Sequence, residues 1–401
     1  MTNIYAAIEL GTTHTVLAVG EAKTGERLKV IQHAEINSSG VRKSQILDIK
    51  QAAQSIKSIL RAIDQKQSKN KSGDSLDIGN AFLVISGQHV KVDPYCASVQ
   101  VEGSKVSNRD IEEVERASQM MILPKDRETL EIVYQTYGLD ALGGITSPKG
   151  MSGRMLRLNT LHIHGDSNRI NDARTAANEA NLELCDSLFA VSCAADAVLN
   201  DSEKRNGALV LDMGGGSTGY AVYHDGFLAA ANAVGVGGDH LSSDIAYAFQ
   251  TTHAQSEDLK KKEASAVLTP ANSASARVSI PGSSPLMETR TISRRSLDTV
   301  VNLRLKELLS IIRHELEDQD LFHRLHSGVV LTGGGAALKG LDALIQKEFG
   351  LPVRIGRPIH VDGLSDVENP EAFAAIAGAL MFAHRNYERK PIISLFKGLF
   401  R

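Results

Sequence analysis

Short apolar runs separated by glycine-rich polar turns set the rhythm of this chain, and one pattern occurs twice. Ile4 to Val19 reads as an apolar strand, an acidic residue, a Gly/Thr turn and a second apolar strand, bending at Glu9-Leu10-Gly11-Thr12-Thr13. Ala208 to Tyr223 repeats the pattern around Asp212-Met213-Gly214-Gly215-Gly216-Ser217-Thr218, with Tyr220 to Tyr223 as the returning strand. A third apolar run, Ser327 to Thr332, ends in Gly333-Gly334-Gly335, and a helix is expected from about Ala336. Periodicity elsewhere predicts an acidic helix over Asn108–Met121 with Asn108 as its N-cap and a strand over Arg157–His164. Two more helices are expected over Asn168–Asn181 and Cys193–Asn200, a polar loop over Gln65–Gly79, and an irregular loop over Ala264–Pro285.

The repeated turn carries phosphate chemistry. Glycines let the backbone bend sharply and bring N–H groups against phosphate oxygens, while the hydroxyls of Thr12, Thr13, Ser217 and Thr218 add donors. Glu9 and Asp212, one beside each turn, suit a Mg2+ that arrives with those phosphates and keeps much of its water. Two such turns half a chain apart imply two related lobes closing on a nucleotide. The strand–GGG element puts bare backbone beside its ligand and fits the flat face of an adenosine. Rival motifs fail on context. Gly214, Gly216 and Gly219 match the dinucleotide fingerprint, and Gly215 to Gly219 match the hydrolase elbow, but each motif needs a helix where this sequence continues as a strand. His162 and His164 form an H-x-H with no third ligand near in sequence.

Composition narrows the class. A chain of 401 residues is long enough for two or more domains with sizeable cores, and a net charge of −3 gives no bulk attraction to nucleic acid. Three cysteines, at 96, 185 and 193, suggest a reducing compartment rather than a disulfide framework. The first apolar run lacks a basic lead and reads as a core strand rather than a signal peptide. No stretch approaches the roughly 20 apolar residues of a membrane-spanning helix.

The C-terminal residues follow another pattern. After Pro391, at about 100° per residue, Ile392, Ile393, Leu395, Phe396, Leu399 and Phe400 fall within an arc of roughly 160°. Ser394, Lys397, Gly398 and Arg401 lie opposite, and Arg385 to Lys390 reads as a polar hinge upstream. An apolar face with the basic rim of Lys397 and Arg401 is expected to lie in the surface of an anionic membrane. The competing reading is a terminal helix docked on its own core. A tail this short binds weakly alone and well only when a polymer presents several copies.

Taken in order, the three turns resemble the phosphate 1, phosphate 2 and adenosine motifs of the actin/Hsp70/sugar-kinase superfamily. With the amphipathic tail, the chain resembles the bacterial cell-division FtsA family over nearly its whole length. Ser86-Gly87-Gln88-His89-Val90 resembles the S-G-x-H-[IV] segment that opens the family's inserted subdomain, and Gly150 to Met155 resembles a stretch near its end. Ser243 to Phe249 is similar to the S-D-I-A-x-A-F helix, and Gly328 to Leu341 and Asn369 to Gly378 also match family patterns.

The resemblance implies an α/β, actin-like fold: two lobes around a nucleotide cleft, with an FtsA-type inserted subdomain. Residues 1–81 and 166–205 would form lobe 1 and 82–165 the insertion. Residues 206–242 and 305–365 would form the core of lobe 2, with 243–304 as its outer subdomain. A closing helix would occupy 366–388 and the linker and membrane helix 389–401. Gly11, Thr12 and Thr13 with Gly214 to Thr218 would hold the phosphates of ATP, Gly333 to Gly335 its adenosine, and Glu9 and Asp212 the Mg2+. Lys260, Arg304 and Glu307 fall where the family contacts purine and ribose. Arg290, Arg294, Arg295 and Asn302 fall where it docks the acidic C-terminal peptide of the tubulin-like FtsZ.

Such a protein would assemble into filaments on the cytoplasmic face of the inner membrane at the division site. There it would tether FtsZ and recruit later division proteins. The alternatives are a pilus-assembly actin homologue, which should lack the S-G-x-H segment, and a sugar or acetate kinase, which should carry a substrate-side Asp. A chaperone ATPase would need a peptide-binding domain for which no residues remain. Three departures from the family's pattern bear on turnover: Glu9 stands in place of the usual Asp, Gly219 in place of a common acidic residue, and Ala190 where MreB filaments carry a water-orienting Glu. They point to ATP binding with slow or negligible hydrolysis.

Overall fold

Two sheets of one design carry the chain. In the computed structural model, which describes residues 2–23, 26–69, 78–268, 276–280 and 289–388, β1 (Thr2–Leu10) turns back on β2 (His14–Lys23), and β2 on β3 (Lys29–Asn37). A small hairpin, β4 (Val41–Arg42) and β5 (Gln45–Ile46), leads into α1 (Ile49–Lys69), and β6 (Asn80–Ile85) then enters parallel to β1. A separate sheet follows, built from β7 (Lys91–Gln100), α2 (Asn108–Ser118), β8 (Arg127–Leu139), β9 (Leu142–Ile145) and β10 (Met155–Asp166), with strand order β7-β10-β8-β9. The chain returns through α3 (Ser167–Glu179), β11 (Glu183–Phe189), α4 (Ala190–Val198) and α5 (Asp201–Asn206), completing the order β11-β6-β1-β2-β3.

The second half repeats this plan. β12 (Ala208–Met213), β13 (Thr218–His224) and β14 (Phe227–Val234) form an antiparallel meander. An excursion follows through α6 (Gly238–Phe249), α7 (His253–Lys262), the strand pair β15 (Arg277–Ile280) and β16 (Arg290–Ser293), and the long α8 (Arg294–Asp318). β17 (Val329–Thr332) joins parallel to β12, then α9 (Leu341–Phe349) and β18 (Val353–Ile355) complete the order β14-β13-β12-β17-β18. Each sheet is thus a meander extended by two parallel strands beside its first strand. The chain ends its described course in α10 (Ala374–Glu388).

Alternation along β12 shows how one strand serves two cores. Ala208 and Val210 face a cluster shared with the first sheet, while Leu209, Leu211 and Met213 face a second cluster with Leu241 of α6, Leu305 of α8 and Leu344 of α9. In the first cluster α1 buries Ala52, Ala53, Ile56, Ile59 and Ile63, the i, i+3, i+4, i+7 stripe of an amphipathic helix. Burying each isoleucine side chain contributes roughly 1.5–3 kcal/mol. α4 and α10 fill the same cluster with small side chains, Ala190, Ala194 and Ala197 against Ala374, Ala377 and Ala379. A Cβ on Gly378 would sit 1.8 Å from the Cys193 carbonyl oxygen, so bare backbone sets how closely the helices approach.

Several elements differ from their sequence-based bounds. α2 is capped by Ser107 rather than Asn108, because Ser107 and Asp110 form a reciprocal capping box, and it ends at Ser118. α1 continues through the polar residues 65–69. α3 is capped by Asp166, α4 opens at Ala190 rather than Cys193, and the strand over 157–164 extends to Met155–Asp166. Inside the expected loop Ala264–Pro285, Val278 and Ile280 alternate inward and form a strand paired with β16. After the GGG turn comes a single 3-10 turn, Gly334–Ala337, and the α-helix begins only at Leu341. Pro370 likewise holds residues 370–373 in a 3-10 turn, so the closing α-helix starts at Ala374 rather than within 366–373. Arg385 belongs to α10 and is ion-paired to Asp196 at 2.5 Å, so the polar hinge does not begin there. The amphipathic run Ile392–Arg401 lies outside the described residues.

Gly378→Ala is expected to cost about 2–3 kcal/mol, because the added methyl must drive α10 from the Cys193 carbonyl. Urea unfolding measures it, and a change below about 0.5 kcal/mol would show that the helices slide without penalty.

Candidate functional site

The two repeated turns close in the same way. Gly11 N–H donates to the His14 carbonyl at 3.1 Å, and Gly214 N–H donates to the Ser217 carbonyl at 3.0 Å. Each turn therefore sits at the tip of the first hairpin of its sheet, and the two tips meet. A Cβ on Gly215 would lie 2.1 Å from Thr13 Oγ1, and one on Gly216 2.2 Å from Thr12 Oγ1, so only glycine admits the opposing threonines. The third turn seats on the root of the second. Gly333 has φ +82°, donates its N–H to the Glu371 carbonyl at 3.1 Å, and could carry no side chain because Asp212 Oδ1 would lie 2.3 Å from its Cβ.

These elements line one cavity of about 70 Å3, bounded by Glu9, Gly11, Thr12, Asp212, Gly214 to Ser217, Gly333 and Gly334. That space holds a few waters, so a triphosphate chain requires the turns to separate. Thr13, Thr218, Gly335, Lys260, Arg304 and Glu307 do not line it. Thr218 spends its hydroxyl on the Val236 carbonyl at 2.8 Å, and Gly335 packs on Met213. Lys260 Nζ holds the Gly238 carbonyl at 2.8 Å and Glu257 at 2.6 Å, one step behind the second turn, since Gly238 N–H donates to the Gly214 carbonyl. Arg304 grips Asp244 with two bonds of 2.6 and 3.0 Å and also Glu307 at 2.6 Å.

Electrostatics single out the two carboxyl groups of the lining. Burial, and then the charge of Asp212, push Glu9 up to about 8, against the lowering effect of a hydrogen bond from Ser86. Burial alone raises Asp212 to about 6. Two carboxylates from opposite lobes face each other, and no basic side chain lines their cavity. A hydrated Mg2+ bound jointly by phosphate oxygens fits this donor set better than an all-protein metal cage, and no cluster of three His, Cys, Asp or Glu exists among the described residues.

Three contributions escaped the sequence. Ser86 and Gly87, at the end of β6, line the cavity, and so does Ala375 of α10. Gly237 and Gly238 pin α6 under the second turn; the run Gly235-x-Gly237-Gly238 before a helix was the available signal. The tip of the β4–β5 hairpin also reaches in. Ser44 N–H donates to Thr12 Oγ1 at 2.8 Å, and Ser44 Oγ lies 3.3 Å from Ser217 Oγ. Lys43 and Ser44 both hold left-handed backbone, φ 50° and 56°, which costs non-glycine residues about 1–2 kcal/mol each.

The residues expected to dock a peptide gather at the start of α8. Arg290 is exposed and donates to the Gln250 carbonyl at 3.1 Å; Arg294 is ion-paired to Glu263, and Arg295 stands in the first turn of the helix. Asn302 is buried, its amide given to the Ala266 carbonyl at 2.6 Å, so it positions the chain rather than presenting a surface. His162 and His164 are occupied by the Ser118 carbonyl and by Asp93, each at 2.9 Å.

Comparison with known proteins fits this architecture. A family profile described as "Cell division protein FtsA" matches residues 209–378, and one described as "SHS2 domain inserted in FTSA" matches residues 87–164. The cell division protein FtsA of Pseudomonas aeruginosa is 30% identical over 377 residues, 94% of this chain and 88% of that protein. That of Escherichia coli K12 is 27% identical over 393 residues, covering 96% and 91%. Among solved structures, a PilM-PilN type IV pilus biogenesis complex superposes with TM-score 0.64 at 17% identity, covering 94% of this chain and 98% of that one. MreB5 of Spiroplasma citri bound to ADP superposes with TM-score 0.53 at 15% identity, covering 96% and 98%. The fold is actin-like, and the β7–β10 unit is the inserted SHS2 domain.

Because both cleft carboxyls sit above their ordinary values, the folded chain holds more protons than the unfolded one from about pH 3.8, where unfolded Asp212 titrates, to about pH 8. Their stabilising effect is complete below that window and drains away as pH rises through it. Glu9→Gln should therefore raise the nucleotide-free melting temperature by several degrees near pH 8 and change it little near pH 5. Scanning calorimetry at both values measures this, and an equal effect at the two refutes the charge-pair account.

Proposed function

The chain belongs to the FtsA family of cell division proteins, and from that premise we propose that it is a nucleotide-operated adaptor between FtsZ and the membrane. The observation that carries the reading is the convergence of all three glycine turns on one cavity that holds two facing carboxylates. ATP would enter between the turns, its phosphates taken by the N–H groups and hydroxyls of Gly11, Thr12 and Gly214 to Ser217. Gly333 and Gly334 offer the flat bare backbone for the adenosine. Glu9 and Asp212 would hold Mg2+, which would screen the phosphate charge and offset the repulsion between the two carboxylates. Lys260 stands one step behind the second turn, Arg304 braces α8 against Asp244 of α6 and pairs with Glu307, and together they would stiffen the wall toward the purine.

A bound nucleotide fixes the pose of the two lobes, and a fixed pose is what a repeating filament needs. Copies of the chain then present their C-terminal segments together. Ile392, Ile393, Leu395, Phe396, Leu399 and Phe400 would enter the cytoplasmic face of the inner membrane, with Lys397 and Arg401 on its anionic headgroups. At the outer subdomain Arg290, Arg294 and Arg295 offer guanidinium groups to the acidic C-terminal peptide of FtsZ, and the inserted domain would recruit later division proteins.

Two experiments test the adaptor. With ATP and anionic liposomes, the full chain should sediment with the vesicles and a chain truncated after Lys390 should stay in the supernatant; equal sedimentation removes the membrane reading. Reversing Arg290 and Arg294 to Glu should weaken binding of an FtsZ C-terminal peptide at least tenfold by fluorescence anisotropy. Arg290→Glu alone breaks no ion pair among the described residues and should account for much of that loss; unchanged affinity in both variants refutes the docking surface.

A further inference from the structure

We infer that the Lys43–Ser44 hairpin tip is the element that reads the terminal phosphate of a bound nucleoside triphosphate; this rests on the nucleotide reading above and deepens it. Three observations carry it. The first concerns place. Gly333 and Gly334 sit at the β12 root of the cavity, beside Asp212 and Met213, whereas Ser44 sits at the opposite lip, against Gly216 and Ser217 at the tip of the second turn. A nucleotide with its adenosine at the glycine triplet therefore runs its phosphate chain toward Ser44. The distal phosphate is the one that arrives there.

The second concerns chemistry. Neither turn carries a cation: Ile8 to Thr15 and Asp212 to Tyr223 contain no lysine or arginine. A triphosphate differs from a diphosphate by an additional phosphate group with negative charge, and some group must answer it. The hairpin brings what the turns lack. Ser44 contributes a backbone N–H and a hydroxyl inside the cavity, and exposed Lys43 stands next to it; burial, and then the charge of Lys43, lower the His240 imidazole at the head of α6. The ammonium of Lys260 is held by Glu257 and the Gly238 carbonyl, while Lys43 makes no such bond among the described residues.

The third concerns strain. A two-residue turn with both central residues left-handed normally uses Asn-Gly, which adopts that backbone at little cost. This chain uses Lys-Ser at φ 50° and 56° and so retains an unfavourable backbone where an easy alternative exists. Strain kept in this way belongs where the side chains are needed. Ser44 N–H now bonds Thr12 Oγ1, and Ser44 Oγ bridges to Ser217 of the other lobe. When the turns part for a phosphate, these donors are released together at the point where its oxygens arrive. The hairpin thus reports a triphosphate to both lobes and leaves a diphosphate unread.

The test is the double variant Lys43→Asn with Ser44→Gly, which installs the favoured turn while removing the ammonium and the hydroxyl. Affinities of the full chain for ATP and ADP, each with Mg2+, are measured by calorimetry, and the melting temperature checks the fold. The expected result is a fall of about tenfold in the ATP-to-ADP affinity ratio with a melting temperature no lower than that of the unmodified chain. An unchanged ratio, or equal loss of both ligands, overturns the hairpin's role while leaving nucleotide binding intact. If the unmodified chain binds neither nucleotide, the cleft reading and this inference fall together, and the two failures are told apart by that control.

Discussion

The cleft is organised around the facing of two carboxylates, Glu9 from one lobe and Asp212 from the other, across a seam where glycine backbone admits the opposing threonine side chains. In a partly dry site two like charges cannot both ionise without a neighbouring cation, so the pair must share protons, take up a metal, or hold the lobes apart. Burial raises both groups, and the charge of Asp212 adds to the rise at Glu9, so the cleft by itself favours their protonated forms. The threonines opposite Gly215 and Gly216 leave no slack for a gradual response.

The two sheets are joined through α4 and α10, which lie in the cluster that both share. At the far end of that pair Asp196 of α4 receives Lys204 from α5 at 2.7 Å, Tyr223 from β13 at 3.1 Å and Arg385 from α10. Arg385 comes only a few residues before the C-terminal segment. Nearby, burial and then the charge of Asp196 raise Glu131 of the inserted domain to about 7. That domain also touches the second lobe directly, through Gln135 to the Leu228 carbonyl at 2.7 Å. The root of the tail, the inserted domain and both lobes thus meet in one partly buried charge network, in which moving one partner leaves another uncompensated.

How much of this was legible depended on whether a feature has a periodic or compositional signature. The two hairpins were visible because strand, acid, glycine turn and strand repeat at the same spacing, and the paired sheets follow from those repeats. Their mutual contact was not visible, because nothing in a sequence states which turns touch. The β4–β5 tip escaped for a sharper reason: its left-handed residues are Lys43 and Ser44, so the glycine signal that marks such a turn is missing. Ser107 was passed over as a cap in favour of Asn108 because the two are adjacent and both residue types cap helices; the reciprocal bonds with Asp110 decide between them. Asn302 looked like a surface residue among arginines, but α8 runs unbroken to Asp318 and turns that position inward.

The lining of the cavity also bears on what a bound triphosphate would undergo. Hydrolysis in such a cleft requires a water held in line with the distal phosphate by a group that accepts its proton or fixes its direction. Apart from Glu9 and Asp212, which a cation would engage, the lining consists of glycines, hydroxyls and apolar side chains. Ala190 and Val191, at the opening of α4, present only methyl groups to the space, and Val191 packs against Gly219, leaving no room there for a longer polar side chain. Among the described residues, donors are plentiful in this lining and no carboxylate or imidazole joins Glu9 and Asp212. On the proposed adaptor reading, such a lining would favour gripping a phosphate chain over cutting it.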